Sequence, residues 1–248
     1  MPLNHLLKYK IFTYGGYYTN DVNILQKDVT DKIIDVINTR QFQIYLQPIV
    51  DLHTYQMIGN EVLSRFDDID MESFFKMVSK CGITKEVDRS ILNRVLPIVS
   101  QWEGQTFVNI FPSTLTNFPF SDFDLSNITF EITEQEEIND HEKLNEMIAN
   151  FGMVISIDDV GVGYANLYKL ITLKPNYIKL DRKIIERIDQ SSDKQDLVSA
   201  LYGYSKGRFH VIAEGIEREE ELLALKKLGV SLSQGYLLGR PRLWNVDV

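Results

Sequence analysis

The regular alternation of short apolar runs with stretches of helical periodicity is the feature that most constrains the fold of this chain. About eight runs rich in Val, Ile, Leu and Phe have the length of β-strands, and helical stretches separate nearly all of them after the first pair. Repeated strand–helix units predict a parallel sheet with a buried interior. Eight strands in 248 residues predict a closed barrel, since α/β barrels commonly contain about 200–250 residues in one domain. An open doubly wound sheet is the alternative.

The first two apolar runs, residues 42–50 and 57–66, are joined by a short polar turn. A parallel pair of strands needs a crossover of about a dozen residues or more, so this connection predicts an antiparallel pair. The predicted fold class is therefore α/β, a modified TIM-like (β/α)8 barrel with one antiparallel strand.

Residues 21–40 are predicted to be helical, and a strand is possible within 8–14. We divide the chain into an N-terminal segment and helix at 1–40, packed on the barrel, and the barrel itself at 41–248. Gly152 and Gly229 stand where helix C-caps are expected. The remaining predicted strands are 106–110, 128–133, 153–158, 177–180, 210–214 and 233–237, and the predicted helices are 71–80, 85–103, 112–117 (short), 139–151, 164–172, 183–206 and 218–228.

Composition excludes several classes of protein. The net charge of −9 argues against bulk nucleic-acid binding, which needs basic faces. A single cysteine, Cys81, excludes an intrachain disulfide and a cysteine zinc site and predicts a reducing compartment. No apolar run approaches the ~18 residues of a membrane span, and the N-terminus lacks a signal-peptide pattern, so we expect a cytoplasmic protein without membrane insertion.

Polar residues recur at or near the C-terminal ends of the apolar runs. Chemistry in α/β barrels is built at that end, so the residues are expected to share one mouth. A single charged residue in an apolar run is often a core ion pair, but a whole set in the same position predicts a site. The set is Glu61, Asn109, Glu131, Asp158 with Asp159, Lys179, Glu214 and Gln234.

The types of these residues indicate a metal class. Carboxylates and an amide oxygen, without His or Cys, suit Mg²⁺ or Mn²⁺. The adjacent aspartates Asp158 and Asp159 can serve two ions, one each, and paired ions about 3.5–4 Å apart suit in-line displacement at phosphorus.

Seven motifs in a fixed order contain these residues, between positions 43 and 241. They are Gln47-Pro48-Ile49-Val50-Asp51 through Asn60-Glu61-Val62-Leu63-Ser64-Arg65, Phe107-Val108-Asn109-Ile110, Phe130-Glu131-Ile132-Thr133-Glu134, Ile157-Asp158-Asp159-Val160-Gly161-Val162-Gly163-Tyr164, Ile178-Lys179-Leu180-Asp181, Ala213-Glu214-Gly215-Ile216-Glu217 and Ser233-Gln234-Gly235-Tyr236. Together they resemble the EAL family of bacterial cyclic-di-GMP phosphodiesterases.

The resemblance implies a barrel with one antiparallel strand and a metal-dependent hydrolysis of cyclic-di-GMP to linear pGpG. It implies two Mg²⁺ or Mn²⁺ ions per site, held by Glu61, Asn109, Glu131, Asp158 and Asp159. The implied catalytic residues are Glu61, Lys179 near the attacking water, Asp159 and Glu214. The implied substrate-binding residues are Gln47, Arg65 and Gln234, while Glu134 would anchor the loop that starts at Asp159 and Glu217 would support the site.

Some of these roles have structural alternatives. Arg65 is otherwise a plain surface arginine, Lys179 a partner of Asp181 alone, and Glu217 a helix cap. We interpret Tyr164 and Tyr236 as packing residues rather than as platforms for a guanine ring.

The sequence also departs from the family pattern. Val62 replaces the alanine of the signature, Phe111 replaces a usual serine, and the loop after Asp159 reads Val160, Val162, Ala165 and Asn166. These changes leave the ligand oxygens intact but put regulation and rate in question. The alternative functions are a catalytically silent cyclic-di-GMP receptor and a protein-docking domain. The expected partners are cyclic-di-GMP and a second copy of the chain, in a homodimer formed near the paired-aspartate loop.

Overall fold

The computed structural model describes residues 42–66, 71–80, 82–133, 136–161 and 167–244, together with Asp31 and Asp35. The predicted strand within 8–14 and, apart from Asp31 and Asp35, the predicted helix at 21–40 lie outside these residues. The division of the chain at residue 40 stays a prediction.

Eight strands close into a barrel, which confirms the predicted fold class. Strands β2 to β8 are parallel in chain order, and β1 closes the ring by pairing with both β8 and β2. Pairing of β1 with β8 is antiparallel, with Val50 opposite Ser233, as the short first connection predicts. The strands are β1 (Phe42–Asp51), β2 (Met57–Phe66), β3 (Thr106–Ile110), β4 (Ile128–Ile132), β5 (Val154–Val160), β6 (Tyr177–Leu180), β7 (His210–Ala213), β8 (Leu232–Ser233) and β9 (Arg242–Leu243).

The last strands differ from the prediction. Strand β8 contains only Leu232–Ser233, whereas the prediction extended it from 233 to 237. From Gln234 onward the backbone instead turns, with Leu238 N and Gly239 N both donating to Gly235 O. Strand β9 was not predicted; it pairs antiparallel with β1 at Tyr45 and Leu46.

The predicted helix at 183–206 is wrong, because the chain divides it into two helices. Arg187 has a left-handed backbone, with φ of 56°, which a continuous α-helix does not allow. Asp181 caps the first piece by accepting from Lys183 N, and Ser191 caps the second by accepting from Lys194 N. The helices are α1 (Met71–Lys80), α2 (Thr84–Val99), α3 (Pro112–Leu115), α4 (His141–Phe151), α5 (Leu167–Leu173), α6 (Arg182–Ile185), α7 (Ser192–Ser205) and α8 (Glu219–Leu228), with single 3₁₀ turns at Phe120–Asp122 and Ile188–Gln190.

Other predicted boundaries agree more closely. Gly152 and Gly229 both adopt the left-handed conformation after α4 and α8, as expected of helix C-caps. Helix α2 ends at Val99, before the predicted residue 103. Among the described helices, none combines the length and apolar character needed to cross a membrane.

The chain forms two compact units. The first contains Tyr45–Leu63 and Leu96–Leu243, and with them β3 to β9 and most of β1 and β2. The second contains Ser64–Val95 with the ends of the chain. Within the second unit, α1 and α2 bury apolar side chains such as Phe74, Val78 and Leu92.

A layer of apolar side chains fills the middle of the barrel. Its buried members are Ile49, Phe107, Ile212 and Leu232, with the partly buried Tyr177 packed against them. Successive side chains along a strand alternate between the two faces, so residues two positions further on point the same way. The next inward residues toward the C-terminal ends are Asn109, Lys179, Glu214 and Gln234, and on the reversed β1 the corresponding residue is Gln47.

Candidate functional site

Lys179 on β6 is the centre of a buried cluster of acids. Its side chain is 1% exposed, and its Nζ lies 2.6 Å from Glu214 Oε1, 3.0 Å from Glu131 Oε1, 3.2 Å from Glu61 Oε2 and 3.4 Å from Asp158 Oδ1. Four strands thus direct carboxylates at one ammonium. If all four acids are ionised, one ammonium leaves three negative charges without compensation. The alternative in which Lys179 pairs only with Asp181 is therefore wrong.

Two amide side chains hold Glu61 from either side. Asn109 Nδ2 donates to Glu61 Oε1 at 3.2 Å, and Gln234 Nε2 donates to Glu61 Oε2 at 2.7 Å. With its nitrogen directed at Glu61, the Asn109 amide keeps its oxygen for another partner. Glu61 on β2, Asn109 on β3 and Gln234 directly after β8 therefore belong to the same cluster.

Several oxygens of the cluster lack hydrogen bonds. Neither oxygen of Glu131, nor Asp158 Oδ1, nor Gln234 Oε1 accepts a hydrogen bond from the described part of the chain, although all are buried. Lys179 Nζ is the ion-pair partner of Glu131 Oε1 and Asp158 Oδ1, whereas Glu131 Oε2 and Gln234 Oε1 have no hydrogen-bond partner among the described residues. Buried polar atoms without partners are rare, because each is costly. Orphaned carboxylate oxygens in an all-oxygen donor set fit a hard divalent cation.

A β-bulge in β5 explains how two consecutive aspartates reach one site. Ile157 pairs with Ile178 and Val160 with Leu180, so Asp158 and Asp159 together stand opposite Lys179 alone. Asp159 has φ of 52°, in the left-handed region. In a regular strand the two carboxylates would point to opposite faces, whereas a bulge re-aims one of them.

The bulge produces a compact group of three acids. One carboxylate oxygen from each of Asp158, Asp159 and Glu214 lies within 4.8 Å of the others. The side chains of Asp158 and Glu214 remain 17% and 18% exposed, whereas Glu131 is fully buried. Asp158 and Glu214 thus mark the more exposed side of the cluster.

Burial and mutual repulsion govern protonation in the cluster. Burial raises the pKa of Glu131 well above its ordinary value, and the neighbouring carboxylates add to the rise while Lys179 opposes it. Burial likewise raises the pKa of Asp158 and, strongly, that of Glu214, with Lys179 again opposing. Burial and mutual repulsion thus favour the neutral forms of these acids, and an added positive charge would favour the ionised forms.

Glu61 and Lys179 behave differently from the other members. Burial would raise the pKa of Glu61, but attraction to Lys179 and the hydrogen bonds it accepts lower that pKa overall. Burial disfavours the ammonium of Lys179, yet its four carboxylate neighbours raise its pKa well above the ordinary value. Lys179 is accordingly a protonated donor in this structure.

Two further predicted residues have other contacts. Gln47 Nε2 donates to Gly239 O at 3.2 Å and so ties β1 to the segment after β8. Glu217 Oε1 lies 3.0 Å from Arg182 Nη1. The cap of α8 is instead Glu221, whose carboxylate accepts from Glu217 N and Arg218 N, so the interpretation of Glu217 as a helix cap is wrong.

Sequence reasoning missed Glu221. It is buried and also accepts from Arg187 N at 2.8 Å, so it joins the start of α8 to the break between α6 and α7. An acid three residues after the N-cap is half of a capping-box pattern, but Arg218 stands where the pattern has Ser or Thr, so the sequence signal is incomplete.

The remaining predicted residues fall in three places. Glu134, Tyr164 and the other loop residues at 162–166 lie outside the described residues. Arg65 belongs to the second unit, where its Nη1 donates to Ser64 O. Tyr236 is 48% exposed with the guanidinium of Arg240 4.4 Å from its ring centre, and its interpretation as a packing residue stays a prediction.

The family model described as EAL domain matches residues 30–241, and the chain therefore belongs to the EAL domain family. The matched residues include strands β1 to β8 and the acids of the cluster.

Curated relatives and solved structures agree with this assignment. The chain is 27% identical over 230 residues to MucR of Pseudomonas aeruginosa, a bifunctional diguanylate cyclase/cyclic di-GMP phosphodiesterase, with 83% of this chain and 34% of MucR covered. The solved PaMucR phosphodiesterase in complex with c-di-GMP is 26% identical with a TM-score of 0.72, covering 85% of this chain and 97% of that one. BlrP1 of Klebsiella pneumoniae, solved with manganese and cyclic di-GMP, is also 26% identical with a TM-score of 0.72, covering 83% of this chain and 57% of that one.

The chain matches only part of its curated relatives. It spans 34% of the length of MucR and between 27% and 45% of the other curated relatives compared with it.

Proposed function

We propose that this protein hydrolyses one phosphodiester bond of cyclic di-GMP to give linear pGpG, using two Mg²⁺ or Mn²⁺ ions. The observation that carries the proposal is the buried Lys179 cluster, in which the described residues donate no hydrogen bond to Glu131 Oε2. Relatives that act on or bind cyclic di-GMP support the choice of substrate.

The donor set divides naturally between two cations. Glu61, Asn109, Glu131 and Asp158 would hold the first, and Asp159 with Asp158 and Glu214 would hold the second. Divalent ions at this position would acidify the attacking water and offset negative charge on the phosphoryl oxygens. They would also supply the positive field that a chain of net charge −9 lacks.

The chain's own residues position the reactants. Lys179 keeps its proton on Nζ and, through that ammonium, orients the attacking water and fixes the carboxylates around it. Glu214 lies 2.6 Å from the ammonium and holds it at the open side of the cluster. Gln47, Arg65 and Gln234 would contact the nucleotide, Glu134 would anchor the loop after Asp159, and Glu217 would be fixed by Arg182.

A product assay tests the proposal. Incubation with cyclic di-GMP should yield pGpG in Mg²⁺ or Mn²⁺ and little in Ca²⁺, which tolerates looser geometry. Glu61→Ala should reduce turnover by at least about 100-fold, since even groups that only support metal ligands contribute about 10–100-fold. Glu220→Gln, on the exposed side of α8, is the matched control and should retain turnover.

Two outcomes would contradict the proposal. Undiminished hydrolysis by Glu61→Ala would remove this mechanism. Saturable binding of cyclic di-GMP without formation of pGpG at saturating Mn²⁺ would favour a silent receptor. The departures from the family pattern at Val160, Val162, Ala165 and Asn166 are the reason to test this alternative.

We also propose that the protein forms a homodimer through α5. Leu167, Tyr168 and Ile171 on this helix are 57%, 57% and 60% exposed, an unusual density of apolar side chains on seven residues. A helix that follows the paired-aspartate loop so closely would connect the dimer contact to the second cation site.

A further inference from the structure

A pocket lies at the end of the barrel opposite the acid cluster. It has a volume of about 450 Å³ and is lined by residues at the N-terminal ends of the strands, among them Gln105, Asn176, Tyr177, Arg208 and His210. Gln105, Tyr177 and His210 share the inward faces of Asn109, Lys179 and Glu214 but lie two or four residues earlier. The apolar layer of Phe107 and Ile212 separates the two ends.

The wall of this pocket is an aromatic stack. The ring of Tyr177 lies 5.3 Å from that of His210, with an interplanar angle of 31°, and meets the edge of Phe107 at 5.2 Å. Tyr177 also packs against the apolar layer, so its ring is fixed from below. A planar ligand can extend such a stack, because offset aromatic rings attract one another.

Unused hydrogen-bond donors surround the stack. Asn176 uses its Oδ1 to accept from Ile155 N, and its amide hydrogens have no partner among the described residues. The Tyr177 hydroxyl likewise makes no hydrogen bond within the described ranges, and burial raises its pKa, so it stays a neutral donor. Gln105 donates its amide to Thr129, which leaves one acceptor.

Arg208 adds a permanent positive charge held in place. Its Nη1 donates to Tyr204 O at 2.7 Å, and its guanidinium lies 4.7 Å from the ring centre of Tyr204. Nη1 also donates to Lys206 O at 3.5 Å, so these contacts direct the exposed guanidinium at the end of α7, while its other N–H groups remain for a ligand. Donors with one fixed cation suit a ligand rich in acceptors and negatively charged.

We propose that this pocket binds a small aromatic carboxylate, with the ring on the Tyr177–His210 stack and the carboxylate on Arg208 and Asn176. The volume lies within the roughly 300–1,000 Å³ usual for small-molecule sites. The proposal is independent of what the acid cluster does, because no lining residue belongs to that cluster.

The test compares a charged probe with its neutral isostere. 2-Naphthoate and 2-naphthamide are titrated by calorimetry into the full chain after removal of metal by dialysis, which prevents carboxylate binding to a bound cation. 2-Naphthoate should bind saturably and at least about tenfold more tightly than the amide, as expected for a hydrogen bond to a charged group. Arg208→Gln should remove most of that preference, and Tyr177→Leu should weaken the binding of both probes because it removes the ring on which they stack.

A matched cation serves as the control. Lys226 stacks on Tyr55 at 4.9 Å and does not line the pocket, so Lys226→Gln should bind 2-naphthoate as the parent protein does. Thermal unfolding confirms that each variant is folded. No saturable binding, equal affinity for the two probes, or unchanged affinity in both Arg208→Gln and Tyr177→Leu would overturn the proposal.

Discussion

At the scale of single residues, the site is a cluster whose acids repel one another. One ammonium faces four carboxylates, and in the described part of the chain Glu131 Oε2 accepts no hydrogen bond. Such an arrangement destabilises the fold when no cation is bound, and a divalent cation bound among these acids would stabilise it. Substitutions here should therefore separate stability from binding.

Glu131→Gln is expected to stabilise the metal-free protein while weakening metal binding. The pKa of Glu131 is raised, so the folded state favours the neutral form that glutamine mimics. The free energy of unfolding near pH 8 should therefore rise, because glutamine avoids the cost of an ionised carboxylate at this buried position. Urea denaturation in chelator measures the gain, and calorimetry with Mn²⁺ should show at least about tenfold weaker binding.

Asp122→Asn is the control for this prediction, because Asp122 lies on the 3₁₀ turn before β4 and outside the acid cluster. It should change neither quantity. A lower stability of metal-free Glu131→Gln would show that the ionised form of Glu131 is the favoured one.

The stabilisation produced by Mg²⁺ should increase with pH. The pKa values of Glu131, Asp158 and Glu214 are raised in the folded state. The stability that their protonation contributes is complete below their unfolded pKa and is lost as pH rises through the folded pKa. Mg²⁺ competes with those protons, so the rise in Tm on adding saturating Mg²⁺ should be larger near pH 8 than near pH 5.

Glu61 affects the stability of the metal-free protein in the opposite direction, and only at low pH. Its pKa is lowered, so its contribution is present above the ordinary glutamate value of 4.5 and disappears as pH falls further. A Tm increment that is constant across the range would mean that the acids bind no competing protons.

At the scale of secondary-structure elements, the bulge in β5 sets the position of the second aspartate. Asp159 adopts a left-handed backbone that costs most residues about 1–2 kcal/mol but that Asn and Gly tolerate better. Asp159→Asn should therefore preserve stability, and Asp159→Gly should preserve or increase it, while both remove one carboxylate from the group of three.

Both variants are expected to lose turnover of cyclic di-GMP to a similar extent, because each lacks the charge. Asp159→Ala completes the series, and it should lose turnover and also stability, since alanine disfavours positive φ. Full activity in Asp159→Asn would show that the carboxylate charge is dispensable.

The elements also show what local sequence can and cannot predict. Apolar runs with turn residues between them were sufficient to predict β1 to β7 and the reversal of β1, because each run is long enough to carry its own period. The break at Arg187 depends on Glu221, which lies 34 residues away and accepts from its backbone, so no local pattern reveals it. The bulge at Asp158 and Asp159 is set by pairing with β6, and β9 by pairing with β1, which are equally non-local.

The residues of the site were easier to predict than the hydrogen bonds between them. Strand period and barrel geometry place Glu61, Glu131 and Lys179 at one end, as predicted. Which donor faces which oxygen depends on side-chain rotamers, so the bonds of Asn109 and Gln234 to Glu61 and of Gln47 to Gly239 were not predicted.

At the scale of the whole molecule, charge and exposed apolar surface describe how the chain meets its partners. An acidic protein attracts an anionic nucleotide only if cations reverse the field locally, which is the part assigned to the metal ions. The exposed apolar residues on α5 form the surface through which the homodimer is proposed to assemble.

Ile171→Glu should convert the proposed homodimer to a monomer, because it introduces a charge into an apolar contact. Sedimentation velocity at several concentrations measures the change in mass. Leu197→Glu is the matched control, since Leu197 is also exposed but lies on α7. Equal behaviour of the two variants, or a monomeric parent protein at all concentrations, would exclude this interface.

The reversed direction of β1 has a practical consequence. The turn between β1 and β2, with exposed His53, Thr54 and Tyr55, emerges on the side of the barrel away from the acids. A fluorophore or a short peptide grafted into that turn would leave nucleotide access untouched, and the protein offers there a natural attachment point for immobilisation.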